Sequence, residues 1–219
     1  DAAVIPCGQT KTESIPATGH SWSGWTQTKA PTCTEKGYTT YTCFCGDSYR
    51  DNYTPALGHN IVDGVCTRCM GIPINAENFP DVNFRAYVSL KSIDSDGNKL
   101  LTPTEIASVT QMDISDMSIR NINGIRFFTS LTRLDCSDNQ IKKISDTLPA
   151  SLRYFDCSGN SMSHMPSLPE GLEYFDCSDM VQQNGKIELP MSLKTFICEN
   201  SHLAKLPELP DGLTKLDCS

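Results

Sequence analysis

The side chains best suited to chemistry in this chain are its eleven cysteines and four histidines, and their spacing divides them. Cys7, Cys33, Cys43, Cys45, Cys66 and Cys69 crowd the first third at irregular intervals, whereas Cys136, Cys157, Cys177, Cys198 and Cys218 recur every 20 or 21 residues. Thiolate and imidazole together suit a structural zinc ion, and paired thiols suit a disulfide. In the irregular set, a zinc ion would draw on Cys33, Cys43, Cys45, His59, Cys66 and Cys69. The C-x-x-C at 66–69 has knuckle spacing, while the C-x-C at 43–45 is a weaker signal. The rival staple is a disulfide from Cys33 to Cys43 or Cys45. A redox thiol site would need a strand followed by a helix around Cys66, which the sequence does not offer. None of the four histidines has a partner motif such as G-x-S-x-G or H-E-x-x-H, and no glycine-rich phosphate loop is present. No catalytic residue is assigned, and the chain reads as non-enzymatic.

A second chemical constellation is "DSDGNKLLTPTE", residues 94–105. Numbered as a twelve-residue calcium loop of EF-hand type, Asp94, Asp96 and Asn98 occupy positions 1, 3 and 5. Leu100 offers its carbonyl at 7, with Thr102 at 9 and Glu105 at 12. Calcium needs six to eight hard oxygens, and this spacing curls them around one point. Lys99 stands where glycine normally makes the sharp turn. Residues 102–105 also form a helix capping box with proline at the first helical position, which requires no metal. A structural calcium ion is the expectation.

The regular cysteines belong to a repeat of the form L-x-x-[LF]-x-C-x-x-N-x-[IL]-x-x-[ILM], followed by L-P-x-[SG]-L, carried by Leu131, Leu134, Cys136, Asn139 and Ile141 and by their equivalents. A fixed period of this length marks a solenoid. Apolar residues two apart in L-x-C read as a short strand facing inward, and the Leu-Pro pairs fit an extended return segment outside it. Cysteine at a fixed inward position acts as a small buried hydrophobe, so Cys136, Cys157, Cys177 and Cys198 should stack as free thiols. Residues 73–108 change period, place Phe84, Tyr87 and Val88 at helical spacing, and sit where a solenoid needs an end cap.

These repeats resemble the bacterial leucine-rich repeats with the LPxLPxxLxxLxxxxNxL unit, found in secreted effectors and surface proteins. The departures are Met180 and Ser201 in place of asparagine and the irregular stretch "MVQQNGKIELP". The resemblance implies a horseshoe with a parallel sheet on its concave side. The first third carries its own repeat, since "CGQTKTESIPATGH" matches "CGDSYRDNYTPALGH". It resembles the "GHxW…TCTExGxxTxTCxCG…GH" tandem repeats of anaerobe surface proteins. A module of about 40 residues has little core and needs a staple. Export favours a disulfide, and an anaerobe's surroundings weaken that preference.

The fold class expected is an α+β repeat protein, a leucine-rich repeat solenoid with a small helical cap, preceded by a small β-rich Cys/His module. Its divisions are 1–20, the tail of a preceding Cys/His repeat; 21–72, a complete module; 73–108, the cap; and 109–219, the repeats. The chain reads as a piece of a longer protein, trimmed at both ends. A net charge of −8 argues against nucleic acid, and no apolar run is long enough to span a bilayer. The function expected is an adhesion-type module of a secreted or cell-surface bacterial protein, binding a protein or glycan on the concave face. The alternatives are a structural stalk and an effector acting on a host protein. Side chains alternating with the inward Leu/Phe and Cys must point out of that face. Arg133, Asp135, Tyr154, Asp156, Tyr174, Asp176, Thr195 and Ile197 are therefore the candidate ligand-binding residues, with Tyr154 and Tyr174 expected to form a flat platform flanked by acids.

Overall fold

The computed structural model describes residues 19–22, 24–180, 187–201, 203 and 205–219. Cys7 and His202 lie outside them. The chain forms two compact units, Asp1–Gly58 and His59–Ser219.

The first unit is an antiparallel sheet of β1 (Trp25–Lys29), β2 (Gly37–Thr42) and β3 (Ser48–Thr54), in that order. Threonine and tyrosine give β2 its strand preference, and cross-strand pairs hold the sheet: Tyr41 stacks on Tyr49 at 5.0 Å, and Arg50 sits over Tyr38 at 4.4 Å. Its described residues include only three that are buried, Cys33, Gly37 and Cys43. The sheet has almost no apolar core.

The second unit begins with a hairpin of β4 (Ile61–Val62) and β5 (Val65–Cys66), closed by Asp63 and Gly64 at φ 50° and 79°. Two successive positive φ values are the mark of the Asp-Gly turn that matches strand twist. The boundary thus falls after Gly58, ahead of the sequence division at 72. The reason is local: the Nδ2 of buried Asn78 donates to the carbonyls of Gly64 and Pro73, tying residues 59–73 to the cap. In the cap, β6 (Ile72–Pro73) pairs with β7 (Leu100–Leu101) beside two short helices. Helix α1 (Val82–Val88) starts at Asp81, whose Oδ1 accepts from the N–H groups of Asn83 and Phe84. Its Oδ2 accepts from the N–H of Arg120, so one cap residue also anchors the first coil. Helix α2 (Pro103–Ser108) has the expected capping box of Thr102 and Glu105.

The solenoid sheet consists of six parallel strands in sequence order: β8 (Gln111–Asp113), β9 (Arg133–Asp135), β10 (Tyr154–Asp156), β11 (Tyr174–Asp176), β12 (Thr195–Ile197) and β13 (Lys215–Asp217). Equivalent residues pair at every step, Tyr154 with Tyr174 and Asp156 with Asp176 among them. Inward, Phe155, Phe175 and Phe196 stack at 5.7 and 5.8 Å. Cys136, Cys157, Cys177 and Cys198 line up just past the strands as buried, free thiols. Each position takes a small side chain, and cysteine adds a weak donor: the Cys136 and Cys157 thiols each donate to a carbonyl one coil on, that of Asp156 and Asp176, at 3.4 Å. Asn139 and Asn160 satisfy the backbone where each coil turns away from the sheet. The Leu-Pro segments do more than run extended. In four coils the proline carbonyl (Pro149, Pro169, Pro190, Pro210) accepts from the N–H three residues on, and this turn swings the chain back into the next strand.

Candidate functional site

Alternation within three-residue strands puts Phe155 and Phe175 in the core and their flanking residues on the outward face of the sheet, the one expected to be concave. There Tyr154 and Tyr174 stack with centroids 4.1 Å apart and planes 7° from parallel. The Arg133 guanidinium lies 3.5 Å above the Tyr154 ring. The flat platform expected from sequence is therefore turned on edge. Both faces of Tyr154 are occupied, one by Arg133 and one by Tyr174, and Tyr174 is followed on the next strand by Thr195.

Beside the stack runs the aspartate column. Asp135, Asp156 and Asp176 are half-buried, and each binds the serine two residues on through both its N–H and its hydroxyl: Ser137, Ser158 and Ser178. Asp113 is held likewise by Ser115. The second oxygen of Asp156 accepts from the Tyr154 hydroxyl at 3.4 Å, and that of Asp176 from Tyr174 at 3.3 Å. Arg133 reaches Asp135 at 3.4 Å. Burial raises the Asp156 pKa above its ordinary value, with repulsion from Asp176 and Asp135 adding to it and the Ser158 bonds opposing it. Burial also pushes the Tyr174 hydroxyl up. At Asp113 the Ser115 bonds prevail and the pKa is lowered. The serine bonds thus hold the column's geometry, and at Asp156 they do not offset burial. Thr195 and Ile197 continue the two rows on β12. The serines were not selected from sequence, although their recurrence directly after cysteine was visible there.

In the cap, Asp94, Asp96 and Glu105 each bring one oxygen within 4.8 Å of the others. Asp94 is 1% exposed, and its Oδ1 is buried without a hydrogen-bond partner. Its Oδ2 accepts from the N–H of Lys99 at 3.1 Å. Lys99 itself adopts φ 62°, so the turn usually given to glycine forms here with lysine. Asn98 Oδ1 accepts from the N–H of Leu100, and Glu105 receives Ser95 on one oxygen and Thr102 on the other. Burial raises the Glu105 pKa, and these hydrogen bonds outweigh it, leaving the carboxylate below its ordinary value.

No family model and no curated protein matches the sequence. Among solved structures, an internalin (InlF) from Listeria monocytogenes superposes with a TM-score of 0.53 at 22% identity, over 66% of this chain and 44% of that one. The functional domain of InlJ from the same organism, described as including a cysteine ladder, gives 0.46 at 25% identity, over 66% of this chain and 37% of that one. The solenoid has an internalin-like leucine-rich repeat fold. This chain spans less than half the length of the internalins it matches.

Ahead of the internalin-like repeats, the irregular cysteines separate into two groups. In the first unit Cys43 and Cys45 converge on His20, a residue outside the sequence-derived set. The Cys43 and Cys45 thiols are both free and face His20, and the Cys33 carbonyl accepts from the N–H of Gly58 at 3.0 Å. The Cys43 thiol is lowered to about 7 through its hydrogen bonds with the Cys45 side chain and N–H. In the second unit His59, Cys66 and Cys69 converge. The Cys66 thiol is lowered to about 5, chiefly by the N–H of Cys69.

Proposed function

We propose that this chain is a non-enzymatic, adhesion-type binding module of a secreted or cell-surface bacterial protein, and that its concave sheet recognises a basic protein segment. The observation that carries this reading is the half-buried aspartate column beside the Arg133–Tyr154–Tyr174 stack. Across the six strands the outward rows hold Asp113, Asp135, Asp156, Asp176 and Asp217 against Arg133 and Lys215, five carboxylates to two cations. Parallel strands lie about 4.8 Å apart, a spacing at which a lysine or arginine side chain can bridge two carboxylates. A cation there offsets the burial and the neighbouring charges that raise Asp156, and its methylenes pack along the Tyr174 ring. The internalin-like fold supports a protein partner, and no helix among the described residues is long and apolar enough to cross a membrane.

The test is selection from a peptide library that varies lysine and arginine content, followed by titration of the strongest binder against salt. The reading expects enrichment of peptides with two or more cations and affinity that falls as salt rises. Enrichment of neutral or acidic peptides contradicts it.

A further inference from the structure

Each Gly-His pair of the first third delivers its histidine to a cysteine pair, His20 to Cys43 and Cys45, and His59 to Cys66 and Cys69. Gly19 and Gly58 hold φ of 73° and 68°, and a Cβ on either would meet nothing within 4 Å. Packing therefore does not explain the glycines. The left-handed backbone does, since it swings the next side chain back toward the thiols.

The two cysteine loops are the same hydrogen-bonded structure at different lengths. In each, the N–H of the residue after the second cysteine donates to the carbonyl of the first: Gly46 to Cys43 at 2.9 Å and Met70 to Cys66 at 2.7 Å. In each, the N–H of the first cysteine donates to the carbonyl two residues past the second: Cys43 to Asp47 and Cys66 to Gly71, both at 2.8 Å. In each, the residue after the second cysteine is left-handed, Gly46 at 97° and Met70 at 58°. One has a single residue between its cysteines and the other has two, so the shared hydrogen bonds are not imposed by sequence length. Such a turn aims both thiols to one side.

We propose that these are two structural zinc sites, one in each unit, and that the first replaces the core its unit lacks. With zinc about 2.05 Å from nitrogen and about 2.3 Å from sulfur, a tetrahedron separates the two ligand atoms by about 3.6 Å. His59 Nδ1 lies 3.6 Å from Cys69 Sγ, and His20 Nδ1 lies 3.3 Å from Cys45 Sγ. Two thiolates with an imidazole are a donor set that favours zinc over calcium or magnesium, which take oxygen. At the first site the Asp47 carboxylate is a further donor, 3.3 Å from His20 Nδ1 and 3.6 Å from Cys45 Sγ.

The experiment is metal analysis of the whole chain refolded under reducing conditions with zinc and then desalted. Two zinc ions per chain are expected, one for each cluster. His20→Ala and Cys45→Ser should each remove one, and His59→Ala and Cys69→Ser should each remove the other. Cobalt in place of zinc should give the visible bands of a tetrahedral site with thiolate charge transfer. A variant that misfolds loses zinc without informing on the site, so the wild type supplies its own check: zinc should shield Cys43, Cys45, Cys66 and Cys69 from alkylation, and a chelator should expose them. Tryptophan fluorescence reads the first site alone, because Trp22 lies 4.8 Å from His20 and the other tryptophan, Trp25, is also in that unit. A wild type that retains no zinc, zinc content unchanged in the histidine variants, or disulfides among these four cysteines in the folded protein would overturn the proposal.

Discussion

Replacing Asn139 with alanine removes the most heavily used side chain of the solenoid. Its Nδ2 donates to the carbonyls of Ile114, Cys136 and Ser137, and its Oδ1 accepts from the N–H groups of Met117 and Ile119. Not all five partners are stranded by its loss. The Cys136 carbonyl keeps Asn160, the Ser137 carbonyl keeps the N–H of Asp116, and Met117 is exposed enough to find water. The Ile114 carbonyl and the Ile119 N–H belong to fully buried residues bonded to Asn139. Two stranded groups at about 1–3 kcal/mol each give a loss of about 2–6 kcal/mol. With a urea slope of about 2 kcal/mol per molar, the midpoint falls by at least about 1 M. The assay is urea unfolding followed by far-UV circular dichroism, since both tryptophans report on the first unit. A loss under about 1 kcal/mol would refute the reasoning, because it would mean that the coil turn satisfies its backbone without the asparagine.

Cys136, Cys157, Cys177 and Cys198 should resist thiol reagents in the native protein and react in denaturant without prior reduction; a bridge between any two of them contradicts the stacked column. Burial raises the Cys198 thiol to about 11, so raising the pH of native protein to 9 should not expose it either. Calcium is expected to bind at Asp94, Asp96, Asn98, Leu100, Thr102 and Glu105, to stabilise the fold by about 1.4 kcal/mol at ten times its Kd and so to raise the melting temperature; Asp94→Ala should abolish the rise, and an intact protein indifferent to millimolar calcium would leave helix capping as the loop's whole role. Asp156→Asn should stabilise the solenoid at neutral pH. The folded pKa of Asp156 lies above its ordinary 3.8, so ionisation costs stability above the folded value and that cost is gone below the unfolded one. The gain from asparagine should therefore shrink on acidification, and a variant less stable than wild type at pH 7 contradicts the sign.

The solenoid was legible because one residue type recurs at each structural position: an inward Leu or Phe, a small cysteine, an asparagine that closes the turn. Met180 and Ser201 are informative exceptions. Where asparagine is missing, Met180 is simply buried, and Ser201 donates its hydroxyl to the Cys198 carbonyl, replacing one of the amide's bonds. Sequence placed Tyr154 and Tyr174 on the concave face but could not orient them. Alternation fixes which side a residue faces, whereas the rotamer depends on the neighbouring coils, here Arg133 on one side and the partner tyrosine on the other. In the Cys/His segment, spacing named most of the thiols and missed His20. Its partners lie 23 and 25 residues along, across β1 and β2, and only the sheet brings them to it. The duplicated Gly-His was the available signal, because a glycine before each histidine marks a backbone requirement and not a packing one.

The proposed binding of a cationic segment by the sheet depends on the tyrosine–aspartate site. Calorimetric titration of a library-selected basic peptide into wild type and into Tyr154→Ala with Tyr174→Ala tests it most directly. The account expects the double variant, with its circular dichroism unchanged, to bind at least tenfold more weakly, a difference of about 1.4 kcal/mol. Undiminished affinity in a folded double variant would contradict it and place the binding surface elsewhere on the chain.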